Sequence, residues 1–249
     1  MEGVLAAVGV LPGLALGSFL NVVVARVPEH RSIVKPRSAC GACGYTIPWH
    51  DNIPLVSYAL LGGRCRSCKA KIGLVYPAVE LVTAALLAAC VLRFGASLHA
   101  LVAAVLCATL VTVSATDFQR RVIPNVIVLP AAVVVLAGMT VVHPSVEWTL
   151  GALGGAAFLF LAALAYPKGM GMGDVKLALL IGAGVGRSTP VALMAAMLSA
   201  LLPAAWLLAR HGMAARKMAI PFGPFLAFGG ILALFAGPSI LHWYWALSR

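Results

Sequence analysis

Six side chains in this sequence have the type and spacing to do chemistry. Two are aspartates, Asp117 in "SATDFQRRVIPN" and Asp174 in "GMGDVKLALL". Each stands at the edge of a long apolar run, where an unpaired carboxylate costs several kcal/mol. Two carboxylates held a few Å apart do not both ionise cheaply, so one keeps its proton. Such a pair can activate a water and protonate a leaving amine. The other four are Cys40, Cys43, Cys65 and Cys68, spaced C-x2-C-x21-C-x2-C. Each C-x-x-C can present two thiolates to one ion, and two of them complete a tetrahedral four-sulfur zinc site. A site filled by four thiolates keeps no position for water, so this zinc is expected to be structural.

Other readings stay open. Asp117 could pair with Arg120 and Arg121 at a membrane surface, and Asp174 could be the N-cap of its helix. A carboxylate pair inside a helix bundle also suits a proton-coupled small-solute transporter. The four cysteines could form two disulfides or a redox pair. Cys90 and Cys107 lie within apolar runs and read as packing residues.

The elements that must hold these residues follow from composition. The chain has 249 residues, of which 62% are hydrophobic and 10% charged, with a mean hydropathy of +1.01. A water-soluble domain carries about 25% charged residues. The sequence therefore predicts an all-α polytopic membrane protein with about eight transmembrane helices, near residues 3–25, 76–94, 98–116, 123–142, 149–166, 175–190, 191–209 and 225–245. The expected division is a first transmembrane helix (1–25), a cytoplasmic four-cysteine zinc loop (26–75) and a transmembrane core carrying both aspartates (76–249). The first run is long and lacks a basic leader, so it reads as a retained span.

The net charge of +11 would suit nucleic acid, but its distribution argues otherwise. With the N-terminus outside, fifteen of the 18 Lys and Arg fall in loops on one side. That asymmetry marks the cytoplasmic face of a multi-pass protein in a lipid bilayer, and no nucleic-acid partner is needed to explain it. Both aspartates then map to the cytoplasmic boundary. Gly169, Gly171 and Gly173 allow a close backbone approach beside Asp174. Lys176 reads as an interfacial anchor or as a substrate-side charge. Glu80 reads either as a contact to substrate or cofactor or as the partner of a loop Lys or Arg. Asp51 and Asn52 are expected to shape the cysteine loop, and His50 to stay outside a four-thiolate site.

Five stretches in order resemble one family. "GLALGSFLNVVVARVP" is similar to its first-span signature, and the stretch from "CGACGYTIPWHDN" to "YPAVELVTA" to its cysteine loop and next span. "DFQRRVIPN" and "GMGD" resemble the segments that carry its two catalytic aspartates, and "IPFGPFLAFGG" the stretch before its last span. The family is the type IV leader peptidases, or prepilin peptidases, membrane aspartic proteases with a Gly-x-Gly-Asp motif. His50 departs from the aromatic or acidic residue usual there.

The resemblance implies an endopeptidase of the bacterial inner membrane with its active site facing the cytoplasm. Its substrates would be type IV prepilins or pseudopilins, whose basic leader it removes. Asp117 and Asp174 would be catalytic, with Gly171, Gly173 and Lys176 supporting the site. Members that keep the cysteine loop are associated with a second activity, N-methylation of the new N-terminus with S-adenosylmethionine. The residues binding that cofactor are left unknown, since no glycine-rich loop after a strand is visible.

Overall fold

The computed structural model describes residues 2–166, 170–212 and 220–247, with side chains in the first helix from residue 8 onward. Among the described residues the chain is helical, and strand pairing is limited to two isolated bridges. The helices are α1 (Glu2–Arg26), α2 (Val56–Leu60), α3 (Val75–Phe94), α4 (Leu98–Arg120), α5 (Asn125–Val142), α6 (Glu147–Ala165), α7 (Met172–Val185), α8 (Thr189–His211) and α9 (Gly223–Leu247). Each of the eight expected apolar segments contains one long helix, and α2 lies in the cysteine loop. Among the described residues, seven stretches are long and apolar enough to cross a membrane. One of them, Met172–His211, holds both α7 and α8.

The break between these two helices falls earlier than residue 190, where the apolar pattern alone had placed it. Gly186 adopts φ 52 and ends α7, a conformation that glycine reaches without a Cβ penalty. Thr189 then donates its hydroxyl to the Gly186 carbonyl, and Pro190 opens α8. At about 1.5 Å per residue, α7 is about 21 Å long. It is short for a span but almost wholly enclosed, with nine of its 14 residues buried.

The chain divides into two compact units, Met1–Ala115 and Thr116–Arg249. The first is organised by α1 against α3. Gly9, Gly13 and Gly17 recur every four residues on one face of α1. A Cβ on Gly13 would lie 2.6 Å from the Ala84 Cα, and one on Gly17 would lie 2.7 Å from the Glu80 Cα. Small residues at this spacing let two helix backbones touch, which is how helices associate where lipid cancels the hydrophobic drive. Leu20, Val24, Val79, Ala108, Val111 and Ala115 fill the adjoining core.

The second unit is built around α7. Leu177, Leu180 and Ile181 are fully buried. Gly155 on α6 faces the Ala178 carbonyl, and Gly186 faces the Trp148 ring. The helices α6 and α7 therefore run antiparallel. Gly229 approaches Ala192 and Gly237 approaches Ser188, which makes α8 and α9 antiparallel too. The outer faces carry exposed Val133, Leu161, Leu202 and Trp243, as helices bathed in lipid should.

The α1–α3 contact gives a direct test. Gly13→Leu should destabilise the chain by at least about 1–3 kcal/mol, because the new side chain meets backbone atoms that cannot yield. Thermal melting in detergent checks this. Gly154→Ala, where a Cβ meets nothing within 4 Å, should melt as the unaltered chain does.

Candidate active site and metal cluster

The helix α4 runs past residue 116 and carries Asp117 in its last turn. The turn closes with Arg121 in the left-handed region at φ 54, where its N–H donates to the Asp117 carbonyl at 2.8 Å. The following Val-Ile-Pro cannot continue the helix, because Pro124 disfavours helical geometry in the residue before it. That stop fixes Asp117 at a helix end. Its side chain is 7% exposed. Its Oδ2 accepts the Gly223 N–H at 2.8 Å, a bond that spans 106 residues of sequence. A Cβ on Gly223 would lie 2.7 Å from the same oxygen, so glycine is required there. The Arg121 guanidinium is close enough to act on the Asp117 charge.

Asp174 is the third residue of α7. Gly171 occupies the N-cap, so the N-cap alternative for Asp174 does not hold. The carboxylate instead reaches back and accepts the Gly171 N–H at 3.3 Å, while its own N–H donates to the Gly171 carbonyl at 3.1 Å. Carboxylates suit this position, since the first-turn N–H groups lack partners and the helix end carries partial positive charge. The two aspartates lie within electrostatic reach of each other.

The segment between α4 and α5 holds the start of α7 in place. A Cβ on Gly173 would lie 2.9 Å from the Ile123 Cβ, whereas one on Gly171 would make only ordinary contacts, with the Asp174 carboxylate at 3.7 Å and the Gly173 N at 3.9 Å. Lys176 donates to the Asn125 Oδ1 at 2.9 Å and so pins α7 to the first residue of α5. Gly169 lies outside the described residues. The sequence reading assigned no role to Gly223, Ile123 or Asn125. All three stand in stretches that resemble the family, but their partners are distant in sequence, that of Gly223 by more than a hundred residues.

The cysteine loop belongs to the first unit and forms two matched knuckles. Cys40 N–H donates to the Tyr45 carbonyl and Cys65 N–H to the Ala70 carbonyl, both at 2.9 Å. Four residues after each first cysteine, Gly44 and Lys69 take φ 72 and φ 59. The four sulfurs all lie within 4.8 Å of one another, with Cys40 and Cys68 at 3.8 Å. A tetrahedral ion with metal–sulfur bonds of about 2.3 Å separates its sulfurs by about 3.8 Å. The cluster can hold one metal ion, and all four thiols are free of disulfides. The backbone N–H groups of Cys43 and Ala42 bring the Cys40 thiol down to about 6. The Ala70 N–H draws Cys68 the same way, but the three neighbouring sulfurs push it up to about 11. Several thiolates at this spacing need a cation between them. His50 takes no part in the cluster.

Two side chains shape the loop. Arg66 donates to both Asp51 oxygens, at 2.6 and 2.7 Å, joining the second knuckle to the Trp49–Asn52 turn. These bonds hold the Asp51 carboxyl below its usual value. A depressed carboxyl contributes above its unfolded value, near about 4, and its contribution is lost only as pH falls through the folded value. Glu80 is buried and accepts the Leu55 N–H at 2.9 Å. It meets backbone here instead of the loop cation that the sequence had offered as its partner.

These observations define a multi-pass membrane protein with two carboxylates at helix ends and a four-thiolate loop. Two family models match it, the bacterial peptidase A24 N-terminal domain over residues 11–94 and the type IV leader peptidase family over residues 104–209. The chain belongs to the type IV leader peptidase family. It is 40% identical over 237 residues to a prepilin leader peptidase/N-methyltransferase of Bacillus subtilis, covering 93% of this chain and 94% of that protein. It is 36% identical over 271 residues to a protein of the same name from Pseudomonas aeruginosa, covering 94% and 91%. A third, from Burkholderia pseudomallei, is 35% identical over 274 residues and covers 94% and 86%. No solved structure matches the chain significantly.

The glycine geometry sets apart two residues that look alike in the sequence. Gly173→Ala should displace Ile123 and with it the start of α7, lowering any activity of the aspartates at least about tenfold, the effect of a loss near 1.4 kcal/mol. Gly171→Ala should cost less than Gly173→Ala. Initial rates on one substrate, taken beside melting curves, separate the two.

Proposed function

We propose that this chain is a membrane-embedded aspartic endopeptidase. It removes the basic leader from type IV prepilins or pseudopilins and N-methylates the residue thereby exposed. The observation that carries the proposal is that Asp117 and Asp174, drawn from different helices, lie within electrostatic reach of each other and are both held by glycine N–H groups. The names of the relatives supply both activities. The transporter alternative finds no such support.

In this reading the two carboxyl groups share one proton. The ionised one takes a proton from a water, whose oxygen attacks the scissile carbonyl carbon. The protonated one gives its proton to the departing amide nitrogen as the C–N bond breaks. One carboxylate cannot serve both ends of this exchange at once. The Gly223 and Gly171 N–H groups orient the two side chains without adding charge. Gly173 and the Lys176–Asn125 bond keep α7 in register with the segment that follows Asp117. The charge asymmetry of the loops supports a site at the cytoplasmic face of the bacterial inner membrane.

The metal ion in the loop is proposed to be zinc. Four thiolates at tetrahedral spacing suit it, and they leave no open position for catalysis. Its role is to fold a 50-residue segment that has no sheet and little core of its own. The methyl donor is taken to be S-adenosylmethionine, which supplies a methyl group on a sulfonium. No strand followed by a glycine-rich turn occurs among the described residues, and no residue is assigned to the cofactor.

One assay tests both halves. Purified protein is incubated with a prepilin and the methyl donor, and the product is weighed for leader loss and for one added CH₂. Asp117→Asn and Asp174→Asn should each reduce cleavage by at least about 10³-fold while leaving the chain folded, because removing one member of a paired acid–base system stops the exchange. A Cys40→Ser, Cys65→Ser double variant should lose its zinc and its methylation and keep most of its cleavage. Substantial processing by either Asn variant would end the dyad assignment.

A further inference from the structure

Arg26 closes α1 and is a buried charge of the first unit. It is 8% exposed, and its Nη1 and Nη2 donate to the backbone carbonyls of Ser32 and Pro36 at 2.9 and 2.8 Å. Those acceptors satisfy its hydrogens but do not balance its charge. No ion pair among the described residues involves it. A buried cation without a counter-charge is costly, and proteins normally pair it.

Arg26 lines a cavity of about 240 Å³ at the end of α1, together with Arg37 and Trp49. Arg37 is exposed and has no ion pair among the described residues either. No acidic residue lines the cavity. Two cations therefore face a space that offers no negative charge of its own, and the space calls for an anion.

The rest of the lining says what kind of anion. Phe19 and Val22 also border the cavity. With Arg26 they stand at i, i+3 and i+7, so the three share one face of α1. Along the helix this face is apolar where it crosses the bilayer and cationic at its end. Phe19 is 47% exposed, and Trp49 at the rim is 75% exposed. An exposed tryptophan beside the end of a span suits the headgroup layer. Basic pockets at the ends of membrane helices bind anionic lipid headgroups.

We propose that the first unit binds one anionic glycerophospholipid, with its phosphate between Arg26 and Arg37 and an acyl chain along Phe19 and Val22. Three other ligands fit less well. The methyl donor bears a sulfonium and an ammonium against one carboxylate, so it enters a basic cavity as a net cation. A basic prepilin leader meets the same repulsion. Inorganic phosphate would answer the two arginines but leave the apolar stripe and the tryptophan unused. Bound there, the lipid would clamp the backbone of residues 32–36, which Arg26 already holds, and so brace the entry to the cysteine loop. This inference rests on the membrane reading alone and does not depend on the catalytic one.

The test uses the full chain, stripped of lipid in detergent and then titrated with phosphatidylglycerol. Native mass spectrometry counts the lipid retained. One phosphatidylglycerol per chain should be held, and phosphatidylcholine should not. Arg37→Ala should weaken retention about fivefold, the worth of one basic side chain near a headgroup. Arg26 is avoided because its bonds hold the Ser32 and Pro36 carbonyls, and melting curves confirm that the Arg37 variant is folded. Arg64→Ala removes the same charge from the exposed part of the loop outside the cavity and should leave retention unchanged. Any one of four results overturns the proposal: no lipid retained, equal retention of phosphatidylcholine, equal weakening by Arg64→Ala, or displacement of the lipid by inorganic phosphate or by the methyl donor.

Discussion

Two carboxylates at the ends of apolar helices must be held in place without being left unpaired, and most of the second unit follows from that constraint. The chain meets it with backbone N–H groups from glycines. Asp117 takes the Gly223 N–H and Asp174 takes the Gly171 N–H. A backbone donor steadies a carboxylate without committing it to the ionised state as firmly as a paired arginine would, and a working acid–base pair needs that latitude. The same constraint explains why side chains are missing where the backbones meet. A Cβ at Gly223 would strike Asp117 itself, and one at Gly173 would strike Ile123. The enclosure of α7 gives the arrangement its stiffness. A short helix buried on most sides by α5, α6, α8 and α9 has little freedom to tilt, so its third residue is placed as firmly as the helix is.

The first unit solves a different problem. Its helices are locked by the glycine stripe of α1 against α3, but the loop between them has almost no core. Three devices stand in for one. The thiolate cluster ties the knuckles together, the Asp51–Arg66 pair joins the second knuckle to the Trp49–Asn52 turn, and Glu80 ties the loop to α3 through the Leu55 N–H. Leu55 sits at φ 59, a conformation uncommon for a side chain of that shape, and its bond to a buried carboxylate offsets part of the cost. In the proposed division of labour, the loop serves methylation and the aspartates serve cleavage.

The chemistry-bearing residues were legible in the sequence because they are scarce. Only seven acids occur in 249 residues, so two of them beside apolar runs stand out. The cysteine spacing is equally plain. The helices were legible too, since lipid-facing segments must be apolar along their length. What escaped were contacts between distant residues. Nothing near Lys176 points to Asn125, 51 positions away, and nothing near Glu80 points to Leu55. The α7–α8 break was misplaced because apolarity continues through it, and only the backbone of Gly186 marks the turn. The Gly9–Gly13–Gly17 repeat was readable and went unread, because glycine carries no apolar signal and its meaning lies in the spacing.

The central claim is that Asp117 and Asp174 work as one unit that holds a single proton. The most direct measurement is the rate of leader cleavage across pH, on one prepilin in one detergent, with the integrity of the chain checked at each point. A shared proton gives a rate that falls toward acid, where both carboxyls are protonated, and falls again toward alkali, where neither is. Each limb should report one of the two apparent titration steps of the pair, not of either residue alone. A rate that keeps climbing through alkaline pH would contradict the account and point to another base.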